Sequence, residues 1–200
     1  MVRGLSRRNI FWLKALIHLL SLGWALLTYY RAGTDQLGGD PVEGILHFTG
    51  IGAFNLLLLC LIISPLVRWS RISQFMQVRR LLGLYAFFYA LLHLASYILF
   101  ELQLEWQLLL SEIVKRPYIT VGFSAWIILL ALTLTSNKAA QRRLGRNWQK
   151  LHNWVYLAAG LIALHYIWSV KSDITQPLVY IGVLLLLLSF RKDKLLKLWR

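Results

Sequence analysis

Residues 80–100, RLLGLYAFFYALLHLASYILF, decide the class of fold. After Arg80 the stretch contains no Asp, Glu, Lys or Arg. It is about as long as a helix that crosses a hydrocarbon core of about 30 Å. It lacks the period-two alternation of a barrel strand, and backbone groups in lipid must be hydrogen-bonded internally. It therefore predicts a transmembrane α-helix.

Similar apolar blocks recur along the chain. The predicted spans are about 10–30, 44–64, 80–100, 118–136, 151–168 and 177–190, and Pro65 and Pro117 mark span ends. Hydrophobic residues make up 58% of the 200 residues and charged residues 15%, which is more apolar surface than a soluble domain can hide. The polar connections are short, and no internal repeat is evident. We expect one domain over residues 1–200, an all-α integral membrane bundle of about six transmembrane helices.

The basic residues predict the orientation of the bundle. When the spans are numbered alternately, all but four of the 22 Lys and Arg fall on one side, the exceptions being Arg31, Lys115, Arg116 and Lys171. By the positive-inside rule both termini are cytoplasmic, and the net charge of +14 reflects orientation rather than a nucleic-acid partner. Seven of the eight Asp and Glu lie on the outer side, which indicates either a docking surface for a basic partner or solvation of short loops.

Histidines are the candidate metal ligands. Cys60 is the only cysteine and lies in an apolar run, which excludes disulfides, thiolate metal clusters and covalent CxxCH haem attachment. The histidines in or beside spans are His18, His47, His93, His152 and His165. Ionisable groups in a membrane are costly, so each of these histidines is a candidate functional residue.

His93 and His165 share one predicted depth. A helix rises about 20 Å from Arg79 to His93, and about as far from His152 to His165, which places both in the outer half of the membrane. Two imidazoles on different helices at one depth suit the axial positions of a b-type haem. The alternative is a hydrogen-bonded pair of interior histidines.

The other three histidines are weaker candidates for ligands: His152 and His18 lie on the inner side of the predicted bundle, and His47 lies at the outer mouth of the second span. His152 faces no histidine on the third helix, and an ideal helix puts it about 140° in azimuth from His165, so a kink is required if both serve one cavity. His18 is either an inner ligand or a satisfied interior histidine. His47 binds a haem propionate, contacts a partner or simply lies at the interface.

Other features support packing or anchoring. Arg79 and Arg80 either bind anionic lipid, haem propionate or flavin phosphate, or only anchor the third helix. The glycines Gly50, Gly52, Gly83 and Gly122 permit close approach of a neighbouring helix or of a macrocycle.

Four ordered blocks carry a resemblance to a known family. They are GGDPVEGILHFTG (38–50), RRLLGLYAFFYALLHLASY (79–97), KRPYITVGFSAWIILLALTLTS (115–136) and RRLGRNWQKLHNWVYLAAGLIALHYIWSVK (142–171). Together they resemble the MsrQ (YedZ) family, the haem-binding inner-membrane subunit of the bacterial periplasmic methionine sulfoxide reductase system. This family belongs to the wider ferric reductase and NADPH oxidase transmembrane superfamily. Its haem histidines match His93, His152 and His165, while a second haem site would lack one histidine on the third helix.

The resemblance implies an electron-transfer subunit that is not an enzyme alone. Electrons would pass from the respiratory quinone pool, with a cytoplasmic flavin reductase as another donor, to the periplasmic molybdopterin enzyme MsrP. Haem b and FMN are the implied cofactors, although no residue is assigned to FMN. The alternatives are a cytochrome that reduces another outer-side acceptor such as ferric iron, a histidine-relay proton pathway or transporter, and a membrane scaffold.

Overall fold

The computed structural model describes residues 4–170 and 172–191. These residues form helices joined by short connections, with no strand among them. The helices are α1 (Arg7–Gly33), α2 (Pro41–Ser70), α3 (Met76–Ser96), α4 (Trp106–Lys115), α5 (Pro117–Leu134), α6 (Lys138–Leu144), α7 (Arg146–His152), α8 (Val155–Ser169) and α9 (Thr175–Ser189). A 3₁₀ turn, Ser73–Phe75, precedes α3, and a π-helical turn, Tyr97–Glu101, follows it. The predicted all-α membrane fold is confirmed.

Four described segments are long and apolar enough to cross a membrane. They are α1, α2, Ser73–Glu101 and α5, while α9 is a shorter apolar helix. Large apolar side chains on α1 and α9 face outward, among them Leu19, Leu26 and Leu185, which suits a lipid environment. The chain is a multi-pass membrane protein, whereas the count of six spans and the cytoplasmic termini stay predictions.

The chain divides into two compact units, Met1–Trp106 and Gln107–Arg200. The prediction of a single domain over 1–200 stays a prediction. In the first unit, α2 lies antiparallel to α3: the Cys60 thiol contacts the Arg79 carbonyl at one end, and Thr49 contacts His93 towards the other. Helix α1 runs parallel to α3.

Buried side chains and caps define the first unit. Phe54, Leu57 and Leu61 of α2 are at most 2% exposed, and Ala86 of α3 is fully buried, so the two helices approach closely. The Asp40 carboxylate caps α2 by accepting from the Val42 and Glu43 amides at 2.9 and 3.0 Å.

In the second unit, α8 lies antiparallel to both α5 and α9. Ala158 and Ala159 of α8 are fully buried and Ala125 of α5 is 1% exposed, which lets these backbones pack closely. At the α8–α9 contact, the guanidinium of buried Arg191 donates to the Tyr156 hydroxyl at 2.6 Å.

The helix boundaries depart from the predictions in three places. Pro65 does not end the second helix, which continues to Ser70. The segment between the third and fourth predicted spans contains a further helix, α4. The predicted fifth span is interrupted after His152, and α8 begins only at Val155. Predictions that involve Arg3, Lys171 and the basic tail from residue 192 fall outside the described residues.

Candidate functional site

His93 is held against the backbone of the neighbouring helix. Its Nδ1 atom donates to the carbonyl oxygen of Leu46 on α2 at 2.9 Å and lies 3.3 Å from the Thr49 hydroxyl. Thr49 is fully buried and donates its own hydroxyl to the Ile45 carbonyl at 2.7 Å. The Thr49 oxygen is therefore a second acceptor for the His93 Nδ1–H group.

His165 is held in the same way in the second unit. Its Nδ1 atom donates to the carbonyl oxygen of Tyr118 on α5 at 2.7 Å. The Tyr118 ring lies beside the imidazole, with ring centroids 6.1 Å apart.

These two bonds fix the tautomer of each ring. A carbonyl oxygen can only accept, so the proton of each neutral imidazole is on Nδ1 and the lone pair is on Nε2. A metal-ligating histidine usually donates its other ring N–H to a carbonyl or carboxylate, which orients the ring and raises its basicity. Both residues thus have the tautomer and support of an Nε2 metal ligand.

A glycine makes room for each imidazole. A Cβ added at Gly50 would lie 3.1 Å from the His93 Cε1 atom, and one at Gly122 would lie 2.6 Å from the His165 Nδ1 atom. A Cβ added at Gly52 would meet the Tyr89 ring, and one added at Gly83 would lie 3.6 Å from the Cys60 Sγ atom. Of the four glycines marked in the sequence, Gly50 and Gly122 bear on the histidines and the other two serve helix packing.

The two arrangements repeat one local pattern. In each unit the carbonyl acceptor lies 47 residues before the histidine, and the glycine follows the acceptor by one helical turn. Few residues are identical at equivalent positions of the two helix pairs, α2–α3 and α5–α8, so the sequence alone shows no repeat. The repetition lies in how the chain holds an imidazole.

His152 is held differently from the other two. Its Nε2 atom lies 3.1 Å from the Thr135 hydroxyl oxygen, and its ring stacks on Trp148 with centroids 4.0 Å apart. The Thr135 hydroxyl donates to the Ala131 carbonyl at 2.7 Å, so its oxygen accepts from His152 Nε2–H. This tautomer is the reverse of that in His93 and His165, and a ligand role for His152 stays a prediction.

His18 forms a hydrogen bond that the sequence did not reveal. Its Nδ1 atom lies 2.6 Å from the hydroxyl oxygen of Tyr85 on α3, and the rings meet edge to face with centroids 5.4 Å apart. Tyr85 is 8% exposed, whereas His18 is exposed. The helix rise from Tyr85 to His93 is about 12 Å.

The remaining predicted residues lie near helix starts. His47 is exposed near the start of α2, and Arg80 is exposed in the first turns of α3, while Arg79 is half-buried beside it. Among the residues that the structure describes, no group of three or more His, Cys, Asp or Glu side chains converges to hold a metal ion. The predicted pairing of His93 with His165 across one cavity stays a prediction.

Comparison with protein families assigns the chain to one family. Residues 49–163, more than half of its length, match the family described as Ferric reductase like transmembrane component. The chain belongs to this family. The match begins at Thr49 and includes Gly50, His93 and His152, and His165 follows just after its end. This ferric reductase-like chain is thus a transmembrane electron-transfer component of an oxidoreductase-related family.

Sequence analysis missed the groups that hold the histidines. The acceptors at Leu46 and Tyr118 are backbone carbonyls, which no residue type marks. Gly50 and Gly122 were identified as points of close approach, but nothing in the sequence linked them to His93 and His165. Tyr85 carried a usable signal, because a tyrosine hydroxyl inside a span needs a hydrogen-bond partner.

Proposed function

We propose that this ferric reductase-like chain carries electrons across the membrane through haem b bound by His93 and His165. The observation that carries the proposal is the shared arrangement of these residues: each Nδ1–H donates to a helix carbonyl across a glycine. A histidine that passes a proton through its ring, from one nitrogen to the other, must also exchange the Nδ1 proton, whereas a carbonyl acceptor holds that proton on Nδ1. The arrangement therefore favours ligation over a relay.

The residues fit the group that they would hold. His93 and His165 would hold haem b through imidazole nitrogen, a common ligand of haem iron, and the haem would supply a reversible one-electron couple. The Leu46 and Tyr118 carbonyls fix the tautomers of the two rings, so the lone pair of each ring is on Nε2. Gly50 and Gly122 let the rings lie close to the helix backbone. An apolar surround would exclude water from such a site, which is one means by which a protein tunes a redox potential.

The donor and the acceptor follow from the family resemblance. We propose that quinol in the bilayer supplies electrons and that the periplasmic molybdopterin enzyme MsrP receives them to reduce methionine sulfoxide in oxidised proteins. The chain would then be the electron-transfer subunit of a two-protein system in the bacterial inner membrane. FMN and a cytoplasmic flavin reductase stay predictions from the resemblance, with no residue of this chain assigned to them.

A reoxidation experiment tests this function. The haem-loaded protein in nanodiscs is reduced anaerobically with a quinol and mixed with MsrP and methionine sulfoxide, while the absorption of the reduced haem is followed. We expect rapid reoxidation only when MsrP and sulfoxide are both present. Ferric citrate in place of MsrP tests the alternative acceptor.

The outcomes separate the acceptors. Reoxidation by MsrP and not by ferric citrate supports the proposed partner. The opposite result would assign the chain to ferric iron reduction, which the description of the matched family also names.

A further inference from the structure

An exposed histidine lies in the middle of a lipid-facing helix surface. His18 is on α1, and the neighbouring Leu16, Leu19 and Leu20 are 49%, 70% and 50% exposed. An ionisable side chain among lipid-facing residues is costly unless it has a polar partner or a function. The Tyr85 hydroxyl, 2.6 Å from Nδ1, supplies a partner to only one of the two ring nitrogens.

The geometry points to a binding site for a lipid-soluble hydroquinone at the His18–Tyr85 pair. This inference rests on the proposed function, to which it adds the place where the electron donor binds. A neutral imidazole has one N–H donor and one acceptor nitrogen. It can therefore accept from a hydroquinone hydroxyl or donate to a quinone carbonyl, so both redox forms are bound.

Tyr85 orients the histidine for this role. Its hydroxyl is anchored in a well-packed position, because the Tyr85 ring lies edge to face against Phe88 with centroids 6.0 Å apart and is 8% exposed. One helical turn further along α3, the Tyr89 hydroxyl donates to the Ser21 carbonyl on α1 at 2.7 Å. The two tyrosines hold this part of α1 against α3 and leave the His18 side chain exposed.

The position also suits the chemistry that the chain performs. A soluble donor would reach an aqueous surface, whereas His18 is about 16 Å along α1 from Arg7 and is flanked by leucines. A hydrophobic molecule that carries hydroxyl or carbonyl oxygens can reach the imidazole there and form a hydrogen bond with it. Tyr85 and His93 are on one helix, so a molecule bound at His18 would lie within the same unit as the proposed haem ligand.

Photoaffinity labelling tests the site without relying on turnover. The haem-loaded protein in nanodiscs is irradiated with an azidoquinone, with and without excess unlabelled quinone, and the labelled peptides are identified by mass spectrometry. The variants are His18→Phe, which keeps an aromatic ring but removes both nitrogens, and Tyr85→Phe. Tyr29→Phe is the matched control, because it removes another α1–α3 bond of 2.6 Å, from the Tyr29 hydroxyl to Ser96.

We expect competable labelling of α1 and α3, reduced about tenfold by His18→Phe, as the loss of a hydrogen bond predicts. Tyr85→Phe should reduce it less, and Tyr29→Phe should leave it unchanged. Equal labelling in all four proteins, or labelling confined to other helices, would overturn the inference.

The dithionite-reduced haem spectrum separates this result from the proposed function. If the spectrum is normal in every variant and labelling does not depend on His18, the quinone site is wrong and the haem proposal stands. If the wild-type protein binds no haem, the proposed function fails, and the labelling result then decides the binding site independently.

Discussion

The Nδ1 atom of His165 donates a hydrogen bond of 2.7 Å to the carbonyl oxygen of Tyr118. The same nitrogen would lie 2.6 Å from a Cβ at Gly122, well inside van der Waals contact. The hydrogen bond in its present form therefore requires glycine at position 122. At Gly50 the corresponding distance to the His93 Nδ1 atom is 3.2 Å, a milder clash.

The Gly122→Ala substitution should displace the His165 imidazole. Overpacking of this kind costs about 1–3 kcal/mol, and the ring would also lose its bond to Tyr118. We expect less haem per protein and a changed low-spin signal in electron paramagnetic resonance. Gly50→Ala should have the same effects to a smaller degree.

Gly160→Ala is the matched control for this pair. It lies on α8, the helix of His165, and a Cβ there meets nothing within 4 Å. Alanine also favours a helix by up to about 1 kcal/mol over glycine, so this variant should be neutral or slightly more heat-stable. Equal haem content in all three variants would show that glycine at position 122 does not position His165.

Thr49→Val should weaken the support of His93 without removing it. Valine keeps the size of the side chain and loses the hydroxyl that lies 3.3 Å from Nδ1, while the bond to Leu46 remains. We expect a shift in the redox midpoint potential of the bound haem, with haem content close to that of the wild type. Optical redox titration measures both quantities.

Thr28→Val is the control that separates an effect on His93 from the general effect of losing a buried threonine hydroxyl. Thr28 is also buried in a membrane helix and donates its hydroxyl to the Trp24 carbonyl at 2.9 Å, but it is on α1. Loss of the Thr28 hydroxyl should lower the free energy of unfolding by about 1 kcal/mol, as loss of the Thr49 hydroxyl should. It should leave the redox midpoint potential of the haem unchanged. The same potential shift in both variants would argue against a role for Thr49 at His93.

His152→Ala should leave the proposed haem of His93 and His165 in place. The His152 ring stacks on Trp148 and its Nε2 atom is bonded to Thr135, an arrangement unlike that of the other two histidines. Pyridine haemochrome analysis of this variant should give the wild-type haem content, and electron paramagnetic resonance should give the wild-type low-spin signal. A colourless His152→Ala protein would make His152 a required ligand.

Asp173 gives a prediction for pH dependence outside the spans. Hydrogen bonds from the side chain and the backbone N–H of Thr175 hold the pKa of Asp173 below its ordinary 3.8. A carboxylate with a lowered pKa stabilises the folded state above that ordinary value, and the contribution is lost as the pH falls through the lowered pKa. The Asp173 carboxyl chemical shift in nuclear magnetic resonance should titrate below 3.8, and Thr175→Val should raise the midpoint. A midpoint that does not move in this variant would contradict the assigned cause.

Helices were predictable from the sequence because their signal is local. Each predicted span overlaps an observed helix, since long apolar runs leave the backbone no other hydrogen-bonded form in lipid. The exceptions have physical reasons. Pro65 cannot donate a backbone hydrogen bond, but the rest of α2 continues the helix through it. The α4 segment is too short and too polar to read as a span.

The sequence predicted the histidines of the candidate site but not the groups that hold them. His93 and His165 stood out because histidine is rare and costly in a membrane span. The Leu46 and Tyr118 carbonyls, the close approach at Gly122 and the bond from His18 to Tyr85 all depend on which helices pack together. These contacts are part of the tertiary structure, so no local sequence pattern predicts them.

The spectrum of the purified protein tests most directly whether His93 and His165 bind haem. Reduced-minus-oxidised absorption and electron paramagnetic resonance would be recorded for the wild type, His93→Ala, His165→Ala and, as a histidine control, His47→Ala. We expect bis-histidine b-haem signals in the wild type and in His47→Ala, and their loss in both His93→Ala and His165→Ala. A wild-type protein that stays colourless after haem-replete expression, or retention of the same signals in His93→Ala and His165→Ala, would contradict haem binding by these two histidines.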